Sequence, residues 1–403
     1  MSNQNTKRNV GIVIVVIIIV AAIIGGYSYY TSSASTGPTQ TMSTVQSAAQ
    51  SMVETTPSVM ASNEPVSILG AGATFPAPLI QKWTVTYKGL NPWVTINYNP
   101  IGSGGGIQQI TQKTVDFGAS DAPLSDAQLA NATGLVLMPE TLGGVAITYN
   151  LQHYGISNGT VINFTGDVIA NIYMGKIKLW SDPAIAALNP NLKLPTATIT
   201  AVHRSDGSGT TYAFTNYLSV VNTDWKTTVG YSTSVTWPVD KIGTGIGAKG
   251  NAGVAGTVAN TPGSIGYVDV IYATGQSLGI GAVKNAAGNF VSPNLQTIAY
   301  AAANATGTPN PNDLRMHIVN AAGDQSYPIA TYTYILLYKE MSNQPSMTLN
   351  KAQALVKFLW WAIHDGQQYA PSLIYVPLPQ NIVSADEQLL KSETYQGQTL
   401  ITS

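Results

Sequence analysis

From about residue 66 onward, short apolar runs alternate with stretches of helical periodicity, a pattern that predicts a sheet layered with helices. Val66 to Leu69 predicts a strand. Pro78 to Tyr87 sets Leu79, Trp83 and Tyr87 at i, i+4 and i+8, one apolar face of a helix. A second strand follows over Val94 to Tyr98, a helix over Ile107 to Gln112 and a third strand over Thr114 to Ala119. Further strands are predicted over Gly144 to Tyr149, Ile199 to His203 and Ile265 to Val270, with helical periodicity over Thr211 to Leu218. Leu355 to Ile363, with its Trp360-Trp361 pair, predicts a core helix. Lys284 to Asp313 is Asn/Gly-rich and reads as irregular surface, and no internal repeat is evident.

The N-terminal part follows a different pattern. Val10 to Gly26 is uncharged and almost wholly apolar, and extended to Tyr30 it reaches the ~20 residues that a membrane-crossing helix needs. Lys7 and Arg8 precede it, which predicts a cytoplasmic start and an external remainder. An uncleaved anchor is favoured over a signal peptide, because no small-x-small cleavage site closes the apolar run. Thr31 to Val66 is rich in Ser, Thr and Gln, with Pro38, Pro57 and Pro65, and predicts a flexible stalk. Four N-x-Thr sequons beyond it, at Asn131, Asn158, Asn163 and Asn304, agree weakly with an external location.

Composition then removes whole classes of function. The 18 Lys+Arg against 19 Asp+Glu leave a net charge of −1, without the basic surplus that nucleic acid demands. The absence of Cys excludes disulfides, thiolate metal sites, cysteine nucleophiles and lipid attachment to Cys. His153, His203, His317 and His364 are scattered without metal-ligand spacing, so no metal and no cofactor is expected. At 403 residues the chain accommodates two domains and appendages.

Candidate chemistry concentrates in three glycine-rich corners. Arg204 to Thr210 reads RSDGSGT, just ahead of a helical segment. It combines a guanidinium fork, two hydroxyls and a closely approachable backbone, the parts that suit a tetrahedral oxyanion at a helix N-terminus. Asp206 is read as the acid that orients Arg204. Gly70 to Pro76 (GAGATFP) and Ile101 to Gly106 (IGSGGG) also join a strand to a helix. Near Thr74 and Phe75 the N–H groups are free of helix bonding, and Ser103 stands as an N-cap. Each corner, taken alone, also reads as an ordinary turn. Asp121 closes a strand beside them; an ionised carboxylate there accepts a hydrogen bond from a protonated phosphate and repels proton-less sulfate, although it also reads as a cap before Pro123. Gly207-Ser208-Gly209 is not a hydrolase nucleophile elbow.

GAGATFPAP, INYNPIGSGGG, VDFGASDAPLSD, IYMGKI, RSDGSGT with TYAFTNYL, and GNAGVAGTVANTPGSIGYV occur in that order. Together they resemble the phosphate-specific substrate-binding proteins of ABC transporters, over nearly all of Ser67 to the C-terminus. The resemblance implies an α/β, two-lobed periplasmic-binding-protein-like fold of type II, preceded by the transmembrane helix and stalk. The apolar run and its flanks predict a cytoplasmic start and anchor over 1–30 and a stalk over 31–66, which the resemblance does not cover. The resemblance implies lobe one from 67–147 plus 331–403 and lobe two from 148–330. The chain crossings are placed near Val145 to Asn150 and Ile329 to Tyr334. Phosphate would be bound by Thr74, Phe75, Ser103, Asp121, Arg204, Ser208, Gly209 and Thr210. The implied partners are inorganic phosphate, a permease and its ATPase subunit, with the membrane reached through the N-terminal helix, no nucleic acid, and a monomeric, non-enzymatic binding domain outside the cytoplasm. Two departures are visible: an anchor in place of a cleaved signal peptide, and Gly104 where a second Ser is usual. Another tetrahedral oxyanion, or a surface phosphatase, are the competing readings.

Overall fold

The computed structural model describes residues 64–305, 310 and 312–401, so the predicted anchor and nearly all of the stalk lie outside the described residues. No described helix is long and apolar enough to cross a membrane. In chain order the elements that position the site are β1 (Val66–Gly72), α1 (Ala77–Leu90), β2 (Val94–Asn99), α2 (Ser103–Thr111), β3 (Phe117–Ser120), β4 (Leu135–Asn150), β5 (Thr200–Arg204) and α3 (Gly209–Val221). After them come β6 (Gly245–Ala248), α4 (Gly250–Asn260), β7 (Ser264–Asp269), α5 (Leu295–Ala303), β8 (Ala330–Tyr338), α6 (Leu349–Ile363) and α7 (Gln380–Lys391).

A nine-stranded sheet runs β2-β1-β3-β8-β4-β7-β5-β6, with Gly279–Ile280 added beside β4. The 16-residue β4 holds it together by changing partners along its length. Leu135 to Gly144 pairs antiparallel with β8, and Val145 to Asn150 pairs antiparallel with β7. At the changeover the Val145 N–H donates to the Ile329 carbonyl at 2.8 Å. The sheet therefore has a first half, β2-β1-β3-β8-β4, and a second half, β4-β7-β5-β6, sharing one unbroken strand. The register shifts once between β8 and β4: Thr333 faces Thr141 and Tyr334 faces Pro139, leaving Glu140 as the extra residue of a β-bulge.

Each half has its own aromatic core. In the first, α1 buries Leu79, Ile80, Trp83 and Tyr87, with Pro78 in its opening turn where the missing N–H costs nothing. Tyr87 meets Phe358 and Trp361 of α6 at ring-centroid distances of 5.2 and 5.4 Å. The Trp83 indole donates to the Gly366 carbonyl at 2.7 Å, and truncating such a buried aromatic to Ala costs about 3–5 kcal/mol. In the second half Phe214 of α3 stacks on Tyr267 of β7 at 4.2 Å, with Tyr173 and Trp237 around them.

Several elements exceed their predicted bounds. The strand expected over Gly144 to Tyr149 is the end of β4, whose earlier part is equally apolar but interrupted by Pro139 and Glu140. The helix expected from Ile107 begins at Ser103, its glycines held helical by packing. The helix expected from Leu355 begins at Leu349, capped by the Thr348 hydroxyl. Lys284 to Asp313 is not wholly irregular, because α5 lies within it. Asn294 and Thr297 form a reciprocal capping box, and Ile298 and Ala301 are buried. An alanine-rich helix with only two buried positions gives almost no periodic signal.

Candidate oxyanion-binding site

On the second half of the sheet, Arg204 ends β5 and is buried, 4% exposed. Its guanidinium is gripped by Asp206 in a two-pronged pair, Nε to Oδ1 at 2.7 Å and Nη2 to Oδ2 at 2.5 Å. The Gly250 N–H also donates to Asp206 Oδ1 at 3.0 Å, tying the pair to the start of α4. Ser208 caps α3 by accepting the Thr211 N–H at 3.1 Å. Gly209 and Thr210 thus occupy the first turn, where backbone N–H groups lack helical partners.

The first half supplies the rest. Thr74 and Phe75 lie between β1 and α1, and among the described residues neither of their N–H groups has a hydrogen-bond partner. The Phe75 ring is buried against Tyr375, which leaves only its backbone available to a ligand. Ser103 opens α2, but it is not the N-cap the sequence suggested. Gly102 takes that place, at φ 95°. Freed from capping, the Ser103 Oγ accepts the N–H of Asp121 at 3.2 Å and that of Gly209 at 3.0 Å. Asp121 follows β3 directly, in a tight turn where the Ala122 N–H donates to the Ser120 hydroxyl at 3.0 Å.

The structure brings all eight predicted ligand residues, and Asp206, to one place between the halves. Gly104 N–H donates to the Gly207 carbonyl at 2.9 Å, and Tyr272 hydroxyl to the Thr74 carbonyl at 2.6 Å. Thr74 Oγ1 accepts from the N–H and side-chain amide of Asn251, at 3.1 and 2.9 Å. Two lone pairs of Thr74 and two of Ser103 are thereby filled by N–H donors, so each hydroxyl proton is left to donate. Thr210 Oγ1 accepts from the Asn251 amide at 3.2 Å and donates to Asp121 Oδ2 at 3.4 Å. Two glycines make this closeness possible. A Cβ at Gly209 would stand 2.5 Å from Asp121 Cβ, and one at Gly104 would stand 3.0 Å from Gly207 Cα.

The electrostatics of the two sides differ. Burial pushes the Asp206 carboxyl up, but the hydrogen bonds and charge of Arg204 outweigh it and hold it below the ordinary range. Asp121 is pushed up to about 7 by burial, against the opposing charge of Arg204 and the hydroxyls of Thr333 and Thr210. Glu140 goes to about 8 through burial, eased by Thr333 and reinforced by the charge of Asp121. Asp269, buried and bonded by the Tyr375 hydroxyl at 2.6 Å, is raised well above the carboxylate range, again by burial first.

A cavity of about 680 Å³ opens next to the site, lined among others by Ala122, Tyr212, Tyr231, Arg315 and His317. The Arg315 guanidinium is bonded at all three nitrogens, by Asp313, Asp126 and the Leu124 carbonyl, whereas Arg204 keeps Nη1 clear of any carboxylate. The site around Arg204 is therefore the better oxyanion candidate. Among the described residues no three His, Cys, Asp or Glu converge to hold a metal ion. His203 is packed on Trp237 and bonded to Asp240, and His364 is bonded to Glu387.

A profile described as "PBP superfamily domain" matches residues 35–365. The chain is 43% identical over 339 residues to the "Phosphate-binding protein PstS" of Xylella fastidiosa (strain 9a5c), covering 84% of this chain and 89% of the relative. It is 37% identical over 332 residues to the protein of that name from Methanocaldococcus jannaschii, covering 79% and 84%. The chain belongs to this family. Among solved structures, a "high affinity periplasmic phosphate-binding protein (PfluDING)" superposes with a TM-score of 0.62 at 21% identity, over 80% of this chain and 93% of that one. The phosphate-binding protein from Stenotrophomonas maltophilia gives 0.58 at 21%, over 79% and 92%. At such identity these two speak for the α/β periplasmic-binding-protein-like fold alone.

Beside the eight residues found by motif, the same place holds further residues. Asn251 bridges Thr74 and Thr210 and also accepts the Asp269 N–H at 3.0 Å. It lies inside the GNAGVAG run, and a lone Asn between glycines gave no reason to separate it from a turn. Tyr375, Thr333 and Glu140 arrive from remote parts of the chain with no local motif. The one available signal was Glu140 itself, a charged residue inside an apolar run.

Proposed function

We propose that this chain binds inorganic phosphate between the two halves of its sheet and delivers it to the permease and ATPase subunits of an ABC transporter for import. It acts outside the cytoplasm as a binding protein and not as an enzyme. The observation that carries the reading is the ring of donors around a single acceptor. Arg204 through Nη1, the hydroxyls of Thr74, Ser103 and Ser208, and the backbone N–H groups of Thr74, Phe75 and Thr210 are left to donate, and Asp121 accepts. The Gly209 N–H, expected among the ligand donors, is instead taken by Ser103 Oγ at 3.0 Å. Only an oxyanion that carries a proton satisfies both kinds of group.

In this reading the halves are the lobes of a type II flytrap, 67–147 plus 331–403 and 148–330. The partner change of β4 at Val145, with β8 returning beside it, supports the two crossings. Phosphate binds the closed form preferentially, because donors from both lobes converge only there. Val10 to Gly26 anchors the monomer to the membrane. Calorimetric titration with phosphate and sulfate tests the assignment. Wild type binds phosphate in strong preference to sulfate, and Asp121→Asn lowers that preference at least about tenfold, a change of ~1.4 kcal/mol, chiefly by admitting sulfate. Equal loss for both anions refutes the role of Asp121.

A further inference from the structure

Behind Asp121 lies a second carboxyl that the oxyanion reading does not use. Glu140 is 1% exposed, in the bulge where β4 holds one residue more than β8. A bulge turns an extra side chain out of the alternation of its strand, and here the polar end of Glu140 meets Thr333. The Thr333 Oγ1 stands 3.0 Å from Glu140 Oε1 and 3.2 Å from Asp121 Oδ1. Among the described residues Glu140 Oε2 has no hydrogen-bond partner.

A hydroxyl has one proton to give. If both carboxyls were ionised, Thr333 could serve only one. Serving Asp121 leaves Glu140 a bare buried anion, and serving Glu140 leaves Asp121 with the Thr210 hydroxyl alone, so either way a buried charge goes short of donors. With a proton on Glu140, the chain closes: Glu140 O–H donates to Thr333, whose O–H donates to Asp121. The opposite placement is poorer, because Asp121 also faces Arg204 and the Thr210 hydroxyl, which favour its charged form, whereas Glu140 has no such partner.

We infer that Glu140 is a positioning residue which, through Thr333, stores the proton of the pair and so keeps Asp121 an ionised acceptor. This rests on the phosphate reading of the site. The proton stays in place only while Glu140 is neutral. When it ionises, two negative charges stand behind the anion and binding weakens. The other titratable groups around the pair are Tyr98, Tyr272 and Tyr375, all raised first by burial and neutral across the working range. Asp269 is raised in the same way, and Arg204 remains positive with Asp206.

The test is calorimetry of phosphate binding from pH 6 to 9.5 in wild type, Glu140→Gln and Thr333→Val, with thermal melts as the folding control. Gln supplies a permanent N–H to Thr333 in place of the O–H. Correcting for the ionisation of phosphate, wild type is expected to lose about tenfold in affinity per pH unit above 8, while Glu140→Gln stays flat there. Near pH 8, paired buffers of different ionisation enthalpy should show wild type taking up about half a proton more than Glu140→Gln on binding. Thr333→Val is expected to admit sulfate at neutral pH, because Asp121 loses its donor and takes the proton. Coincident pH profiles for wild type and Glu140→Gln overturn the inference while leaving the phosphate reading intact. Absence of phosphate binding in wild type overturns both. If Glu140→Gln does not fold, the Thr333→Val selectivity and the wild-type pH profile decide alone, and unchanged selectivity with a flat profile overturns the inference.

Discussion

Gly102 to Gly106 and Arg204 to Thr210 meet from opposite sides of the site, yet each solves a different problem. The second turn carries a fixed charge, Arg204, locked by Asp206, and points a helix start at the ligand. The first carries no charge. Its Ser103 hydroxyl is held by two N–H groups, and behind it stand carboxyls that burial pushes up instead of down. In the proposed reading, one wall supplies attraction that does not vary over ordinary pH. The other supplies a proton-dependent acceptor, which is where two anions of equal shape can be told apart.

Breaking the fixed wall has the largest expected effect. Arg204→Ala removes the guanidinium and leaves Asp206 partly buried without its partner, so phosphate affinity should fall about a thousandfold or more by calorimetry. A loss under tenfold would mean that backbone dipoles carry the attraction and that the contrast between the walls is wrong. Next comes the seam between them. Gly209→Ala forces a methyl to within 2.5 Å of Asp121 Cβ, whereas Gly104→Ala meets Gly207 Cα at 3.0 Å. The first should cost about a hundredfold in affinity and the second clearly less, with small-angle scattering showing the Gly209→Ala protein more extended in phosphate. Equal effects would argue that both glycines serve local backbone geometry alone.

The smallest effect is on stability. The first half also contains Asp386 and Glu393, whose carboxyl oxygens have no hydrogen-bond partner among the described residues. Burial raises Asp386 well above the carboxylate range and Glu393 to about 9, the latter eased by Lys339 and reinforced by Glu340. Raised carboxyls bind more protons folded than unfolded, so their contribution is complete below about pH 4 and is lost progressively as pH rises above it, for Glu393 up to about 9. Asp206, held low, behaves oppositely: its contribution is present above the ordinary carboxylate range and is lost as pH falls below it. The ligand-free protein should therefore melt at a lower temperature at pH 9 than at pH 6, and Glu393→Gln should flatten that fall. A melting temperature that rises over this interval would contradict the buried placement of these acids.

Most strands and helices were legible because a half-buried strand and an amphipathic helix leave periodic traces, as in Val66 to Leu69 and Leu79-Trp83-Tyr87. Seven of the eight candidate ligand residues were legible because each belongs to a contiguous strand-to-helix corner, and Asp121 because a carboxylate closes the strand beside them. What escaped was assembled at long range. Tyr375 touches the carbonyl of Phe75, 300 positions away, and Thr333 meets Asp121 from 212 positions away. Ser103 was misread as a cap because a serine before a helix looks the same whether its oxygen serves its own turn or a neighbour's backbone.

The long strand β4 gives the molecule a mechanical character as well as a topology. A single backbone is paired on one stretch to β8 and on the next to β7, so any rotation of one half against the other in the proposed closure would twist that strand as a torsion bar. Glu140 and Gly144 lie a few residues apart on that bar, so twisting it to admit an anion would also move the bulge that holds the buried acid. The pivot and the proton store would then share one length of chain.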